Sequence, residues 1–372
     1  MGARREGPVR VLILSATFGG AHRSVADALV RYLKIRHARD ADVTSVDFLE
    51  HAAPKANVLA KFAYQQGSPF FPVGDGDFDE LVRRESTSPV MRELEHGGSA
   101  RAERLFGDAP PDAVISTLPL AAAVASDVSG ARGFFSAAVI TDFSVTDSWL
   151  HPATDAYFVP CKEVSDELVV RGVEWGRISV AGLAVTERGS SALAASAVRA
   201  DTGLAERFTA ALLLPPGASG ESLQIASRLA EGGIQVAVVI AESPRLLRPA
   251  EGLAAKSSLI RVIDPGVATG ELLRAADVAI CRPGGATVPQ SVSAGVPLIV
   301  YDPVPGQERR NVDFLVNSGA ALLARDEQDA AEKARFLSTH PARRAQIAGD
   351  SAGLGRSDGA QLVCERVLAA VG

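Results

Sequence analysis

Residues Val278–Asn311 read VAICRPGGATVPQSVSAGVPLIVYDPVPGQERRN, and the order of residue types in this stretch decides the fold. Val278–Cys281 is a short apolar run of the buried-strand kind, Pro283-Gly284-Gly285 is a tight turn, and Thr287–Ala294 suits a short helix. Gly295 is placed to stop that helix, and Leu298–Tyr301 is a second apolar strand. Strand, turn, helix and strand in that order make a unit of a parallel sheet. Two glycines between a strand end and a helix start let the backbone approach a ligand closely, with the helix's free N–H groups and positive end facing it. Such a place suits a diphosphate. The polar stretch Gly306-Gln307-Glu308 to Asn311, expected as a loop, offers amide and carboxylate groups suited to sugar hydroxyls. A Gly-Gly pair by itself also fits a plain strand-to-helix turn.

The same alternation extends outward in both directions. In the first half, strands are expected at Val9–Ser15, Val43–Phe48, Ala113–Ser116, Ala137–Thr141, Ala156–Val159 and Ile178–Ala181. Helices are expected at about Arg23–Arg36, Ala121–Val128 and Lys162–Arg171, the first with Val25, Ala28, Leu29, Tyr32 and Leu33 on one face. In the second half, strands are expected at Ala210–Leu214, Val236–Ile240, Leu259–Ile263, Val278–Cys281 and Leu298–Tyr301. Helices near Glu221–Glu231, Gly270–Ala275, Thr287–Ala294 and Val312–Asn317 separate them, and Ala342–Leu368 reads as one or two closing helices. Thr186–Ala205, rich in Ala and carrying Gly189-Ser190-Ser191, reads as a linker or a weak helix.

At 372 residues the chain exceeds one ordinary core, so two domains are expected: 1–185, a linker over 186–207, 208–340, and closing helices over 341–372. With 47% hydrophobic and 22% charged residues the chain is globular. A net charge of −6 argues against nucleic acid as a partner. Cys161, Cys281 and Cys364 lie far apart, with neither zinc-site spacing nor a disulfide framework, which fits a reducing cytoplasm. Val9–Leu14 is too short, and too broken by Arg10, for a signal peptide. No run approaches the ~18 apolar residues of a spanning helix, so any membrane would be met from its surface. Two successive halves of this kind bind ligand beyond the carboxyl ends of their strands, which sets the loop at Gly19-Gly20 opposite the loop at Gly284-Gly285.

The stretch PGGATVPQSVSAGVPLIVYDPVPGQERRN resembles the nucleotide-sugar signature of the monogalactosyldiacylglycerol synthases and processive diacylglycerol glucosyltransferases, relatives of the peptidoglycan enzyme MurG. The tail Pro305-Gly306-Gln307-Glu308 to Asn311 is the most specific part. The resemblance covers most of the chain, least in Glu50–Pro110 and most in Asp277–Gly319. It implies the α/β GT-B fold: two Rossmann-like domains facing across a cleft, with the C-terminal helix crossing back onto the first. It also implies that Gly284, Gly285 and Thr287 hold the diphosphate, that Gln307 and Glu308 read the sugar, and that Asn311 braces them or touches ligand. Arg282, which alone could be a solvated arginine beside a turn, would neutralise phosphate.

His22 follows a glycine loop at a helix start, where the positive helix end favours the neutral imidazole that a general base needs. A capping or surface histidine fits the same residues. Gly19-Gly20-Ala21-His22 resembles the family's GGGH loop, with Ala21 in place of a third glycine, and by that match His22 is the base. Thr141-Asp142-Phe143 to Ser148-Trp149 resembles a segment after a central strand of the family. Asp142 would orient His22 or bind acceptor, or be a turn residue. Trp149 would pack the acceptor's apolar body, or be core. Ala56–Phe71, with Leu59, Phe62, Tyr64, Phe70 and Phe71, matches the part that the family sets against membrane and lipid acceptor, and packing within its own domain is the alternative. Arg83, Arg84, Arg92, Arg101 and Arg104 would form a basic lip there.

Three departures stand out. Gln290 replaces the family's ribose-binding Glu, and the loss of a charge-assisted bond costs about 1–2 kcal/mol, or roughly ten-fold in affinity. Pro215-Pro216-Gly217 removes two N–H donors from a loop that is glycine-rich in the family, and Gly182-Leu183-Ala184-Val185 lacks the family's proline.

The expectation is therefore an inverting glycosyltransferase that moves a sugar from a UDP-sugar to a hydroxyl of a lipid-like acceptor, either diacylglycerol-like or a phosphoglycolipid natural-product precursor. No metal or other cofactor is required, since helix end and donors hold the diphosphate and no Asp-x-Asp pair stands in a suitable place. The protein would be bacterial and cytoplasmic, with a peripheral position on the inner face of the plasma membrane open to it. Two rivals remain: a UDP-sugar 2-epimerase-like isomerase, and a catalytically weakened UDP-sugar-binding protein.

Overall fold

A computed structural model describes residues 7–16, 21–55, 101, 104–107, 110–183, 195–215, 218–240, 244–264, 267, 269–284, 287–303, 307–354 and 358–372. They form two compact units, one of residues up to 183 together with 358–372, the other of residues 195–354.

The first unit holds β1 (Val9–Ser15), β2 (Ala41–Asp47), β3 (Ala113–Ser116), β4 (Phe135–Val139), β5 (Ala156–Val159) and β6 (Ile178–Val180). All pair in parallel, in the order β2-β1-β3-β4-β5-β6. Every residue of β3 and β5 is buried, as strands covered by helices on both faces must be. The helices of this unit are α1 (Ala21–Arg36), α2 (Phe48–Ala52), α3 (Pro119–Arg132) and α4 (Lys162–Val170). α3 shows how sequence sets bounds: Pro119 opens it, and Gly133 at φ 73° closes it by donating its N–H to Ser129 O at 2.7 Å. α1 begins at Ala21, two residues before the expected start, so His22 lies in its first turn and faces the core with Val25, Leu29 and Leu33.

The second unit contains β7 (Thr209–Leu214), β8 (Gln235–Ile240), β9 (Ile260–Val262), β10 (Val278–Cys281), β11 (Leu298–Val300) and β12 (Ala321–Leu323), again all parallel, in the order β12-β11-β10-β7-β8-β9. Read from the other edge this is the 3-2-1-4-5-6 order of a Rossmann sheet. Its helices are α5 (Ala195–Asp201), α6 (Leu223–Glu231), α7 (Pro244–Lys256), α8 (Thr269–Ala275), α9 (Thr287–Ala294), α10 (Gln307–Asn317), α11 (Glu327–Thr339) and α12 (Pro341–Leu354). A last helix, α13 (Gly359–Val371), returns to the first unit. There Ala360, Val363, Cys364 and Val367 join a core with Val25, Leu29 and Ile115, and Tyr32 Oη donates to Glu365 Oε1 at 2.9 Å.

Gly295 takes φ 67° and ends α9, as read. Four elements differ from expectation. β12 is too short to stand out from its surroundings, and α7 carries Pro249 inside its helical run. α11 has no counterpart among the expected helices, whereas α5 is the weak helix offered as one reading of Thr186–Ala205. α10 starts at Gln307 and not at Val312, so the stretch expected as a polar loop is the opening of a helix.

Candidate functional site

In a parallel sheet the ligand crevice opens at the carboxyl ends of the two strands whose connections leave in opposite directions. In the first unit those strands are β1 and β3. His22 stands in the helix that follows β1, and Thr117 directly follows β3. His22 Nδ1 is hydrogen-bonded to the Thr117 carbonyl oxygen. A carbonyl only accepts, so Nδ1 carries the proton of this bond, and in the neutral tautomer Nε2 is the acceptor nitrogen. Thr117 is itself held: its N–H donates to Leu14 O at 2.9 Å, and its Oγ1 lies 3.3 Å from both Leu14 O and His22 O. The ring is 5% exposed. This is a gripped imidazole of fixed tautomer, not a surface histidine.

Asp142 follows β4, the next strand along, and is also 5% exposed; its Oδ2 accepts from Thr141 Oγ1 at 3.2 Å. His22, Thr117 and Asp142 therefore sit beyond the carboxyl ends of three neighbouring strands. Trp149 belongs to a short 3-10 turn, Asp147–Trp149, beside α3. At 3% exposed its ring is spent on the unit's own core, which is the alternative left open for it. Arg101 donates to Ala52 O at 3.2 and 3.0 Å. Gly19, Gly20, Phe62, Tyr64, Arg83, Arg84, Arg92, Pro216 and Gly285 lie outside the described residues.

In the second unit the corresponding strands are β7 and β10. β10 runs into Arg282, Pro283 and Gly284, and the helix bonding of α9 already begins at Gly284: Val288 N–H donates to Gly284 O at 3.1 Å and Thr287 N–H at 3.2 Å. Gly284 is thus the residue that caps the helix. The Thr287 amide, expected to face the diphosphate, is taken up by that cap, which leaves Thr287 its hydroxyl. Asn311 is buried and donates from Nδ2 to Pro283 O at 3.2 Å, so it braces the turn. Gln290, half-buried on α9, makes no side-chain hydrogen bond among the described residues.

Arg282 Nη2 and Glu308 Oε2 form an ion pair at 3.5 Å, with side chains 17% and 16% exposed. Glu308 Oε1 lies 3.4 Å from where a Cβ on Gly284 would stand. Beneath them, burial and then the charge of Glu308 push the Cys281 thiol up to about 12. Sequence reading named Arg282, Gly284 and Glu308 but not their mutual contact. It missed Thr117 entirely, because a carbonyl anchor leaves no side-chain signature.

Two parallel six-stranded sheets of this order, each covered by helices, define the GT-B class. MurG from Acinetobacter baumannii superposes with a TM-score of 0.64 at 16% identity, over 97% of this chain and 99% of that one. A UDP-N-acetylglucosamine 2-epimerase superposes with a TM-score of 0.61 at 18% identity, over 98% and 96%. Residues 22–185 match the family monogalactosyldiacylglycerol (MGDG) synthase. The processive diacylglycerol beta-glucosyltransferase of Bacillus subtilis is 25% identical over 341 residues, 88% of this chain and 86% of its own length. The chain is a homologue of these diacylglycerol glycosyltransferases, and it is itself a glycosyltransferase.

Proposed function

We propose that the protein transfers a sugar from a UDP-sugar to a hydroxyl of a lipid-like acceptor, with inversion at the sugar carbon. The observation that carries this reading is the His22–Thr117 bond, because it leaves Nε2 as the ring's proton acceptor at the crevice of the first unit. Nε2 takes the proton of the acceptor hydroxyl as its oxygen attacks the sugar carbon, and the bond to UDP breaks on the opposite side. Asp142 is assigned to the acceptor side of the same crevice. In the second unit the helix end at Gly284 and the Arg282 guanidinium offset the negative charge that grows on the departing diphosphate. Arg282, the helix end and the Thr287 hydroxyl supply the positive potential that a metal would otherwise bring, and the reading needs no metal or other cofactor.

The relatives' name supports diacylglycerol as the acceptor class. No helix among the described residues is long and apolar enough to cross a membrane, so a lipid acceptor would be met from the bilayer surface. The test is a screen of UDP-sugars by UDP release, with and without a membrane lipid extract. UDP release that needs the extract, with a glycolipid product, supports the reading. Conversion of the sugar nucleotide without extract would replace it with an isomerase.

A further inference from the structure

Resting on that assignment of the donor site, we infer that Glu308 is a built-in competitor of the donor diphosphate: its carboxylate occupies the anion place at the start of α9 and must be displaced for the nucleotide to dock. Three observations converge on this. Glu308 Oε1 lies 3.4 Å from where a Cβ on Gly284 would stand, and Gly284 is the residue whose carbonyl starts the helix bonding, so the carboxylate stands beside the positive end of α9. Glu308 Oε2 faces Arg282, the cation of the site, at 3.5 Å. Arg282 Nε is enclosed and makes no hydrogen bond among the described residues, so the guanidinium holds a donor that the carboxylate leaves unfilled. A phosphate oxygen would fill it.

The consequence is a difference between donor and product. Both bring a diphosphate that draws Arg282 away from Glu308. An intact UDP-sugar also brings hydroxyls that can receive the displaced carboxylate, whereas UDP leaves it without its cation. Breaking a largely buried ion pair by removing one partner is costly. UDP is therefore held more weakly than the two phosphates alone would allow, and Glu308 returns to Gly284 as the product leaves.

Isothermal titration of UDP into the full-length protein tests this with two variants. Glu308→Gln keeps the size and removes the charge; Glu308→Asp keeps the charge but shortens the reach to Gly284. Both are expected to bind UDP about ten-fold more tightly than the wild type, the scale of one charge-assisted contact. Tighter binding by Glu308→Gln alone would mean a general field effect and would overturn the displacement. Equal or weaker binding by both variants would overturn it as well, and would leave the donor site standing. UDP binding by none of the three proteins would instead remove the donor assignment itself. Matching thermal midpoints for the three proteins exclude misfolding as the source of any difference.

Discussion

At the scale of single residues, the histidine of the first unit is held by a backbone oxygen. Since His22 Nδ1 is committed to Thr117, the proposed mechanism gives the base role to Nε2. Replacing His22 by Ala should lower kcat by about 10²–10⁴, the usual share of general acid–base catalysis, while UDP affinity measured by calorimetry stays unchanged. Equal activity in the variant would remove His22 as the base. Asp329 gives a prediction of a different kind. Burial works against its ionised form, but Lys333 and the Arg325 amide and guanidinium outweigh that and hold its carboxyl down at about 2. A carboxyl lowered in the folded state contributes stability above its unfolded value near 3.8, and that contribution is lost as pH falls from about 4 to about 2. Urea titrations should therefore show Asp329→Asn clearly less stable than wild type at pH 7, with the gap narrowing by pH 3.

Among the elements, α5 is joined to β7 and β10 through the side chain of Arg199. Arg199 Nη1 donates to Ala205 O at 2.8 Å, to Arg207 O at 2.7 Å and to Thr209 Oγ1 at 3.1 Å, and Nη2 meets Asp277 Oδ2 at 3.2 Å. Asp277 Oδ2 also accepts the Thr209 N–H at 2.9 Å, so helix and strand are tied through one carboxylate at the amino ends of β7 and β10. Arg199→Met leaves three carbonyl or hydroxyl acceptors without their donor and leaves the Asp277 carboxylate with Arg344, 3.9 Å away, as its remaining cation. A loss of about 3–5 kcal/mol is expected in chemical denaturation, the range for breaking a buried pair. A loss below about 1 kcal/mol would show that solvent replaces the guanidinium. The start of α10 belongs to this scale too. The apolar positions Val312 and Leu315 mark the helix once it reaches the core, but Gln307 to Asn311 are polar and show no periodicity. Their helical state puts Glu308 and Asn311 one turn apart, which lets one side chain meet Arg282 and the other brace Pro283.

For the whole molecule, the last helix decides which unit is complete. α13 buries Ala360, Val363, Cys364 and Val367 in the first unit, and each fully buried valine contributes on the order of 1.5–3 kcal/mol. Deleting residues 358–372 should therefore open the first unit and spare the second. Hydrogen exchange followed by mass spectrometry would check this: protection is expected to fall in α1 and β4, which touch α13, and to persist in β7 and β8. Equal loss in both units would show one cooperative fold.

The amino-acid sequence by itself determined the α/β class, the division into two parallel sheets, most strand positions to within two residues, and the glycine that ends α9. These follow from short-range chemistry: apolar runs that must be covered on both faces, and a residue that tolerates a left-handed backbone. It also pointed to His22, Arg282, Gly284, Glu308 and Asn311 as members of a site. Only the tertiary structure decided which partners they meet. The His22–Thr117 bond spans 95 residues, the Arg282–Glu308 pair 26, and the Tyr32–Glu365 bond 333. Such partners are chosen by the order of strands in the sheet, and that order comes from the packing of the whole chain and has no local signature.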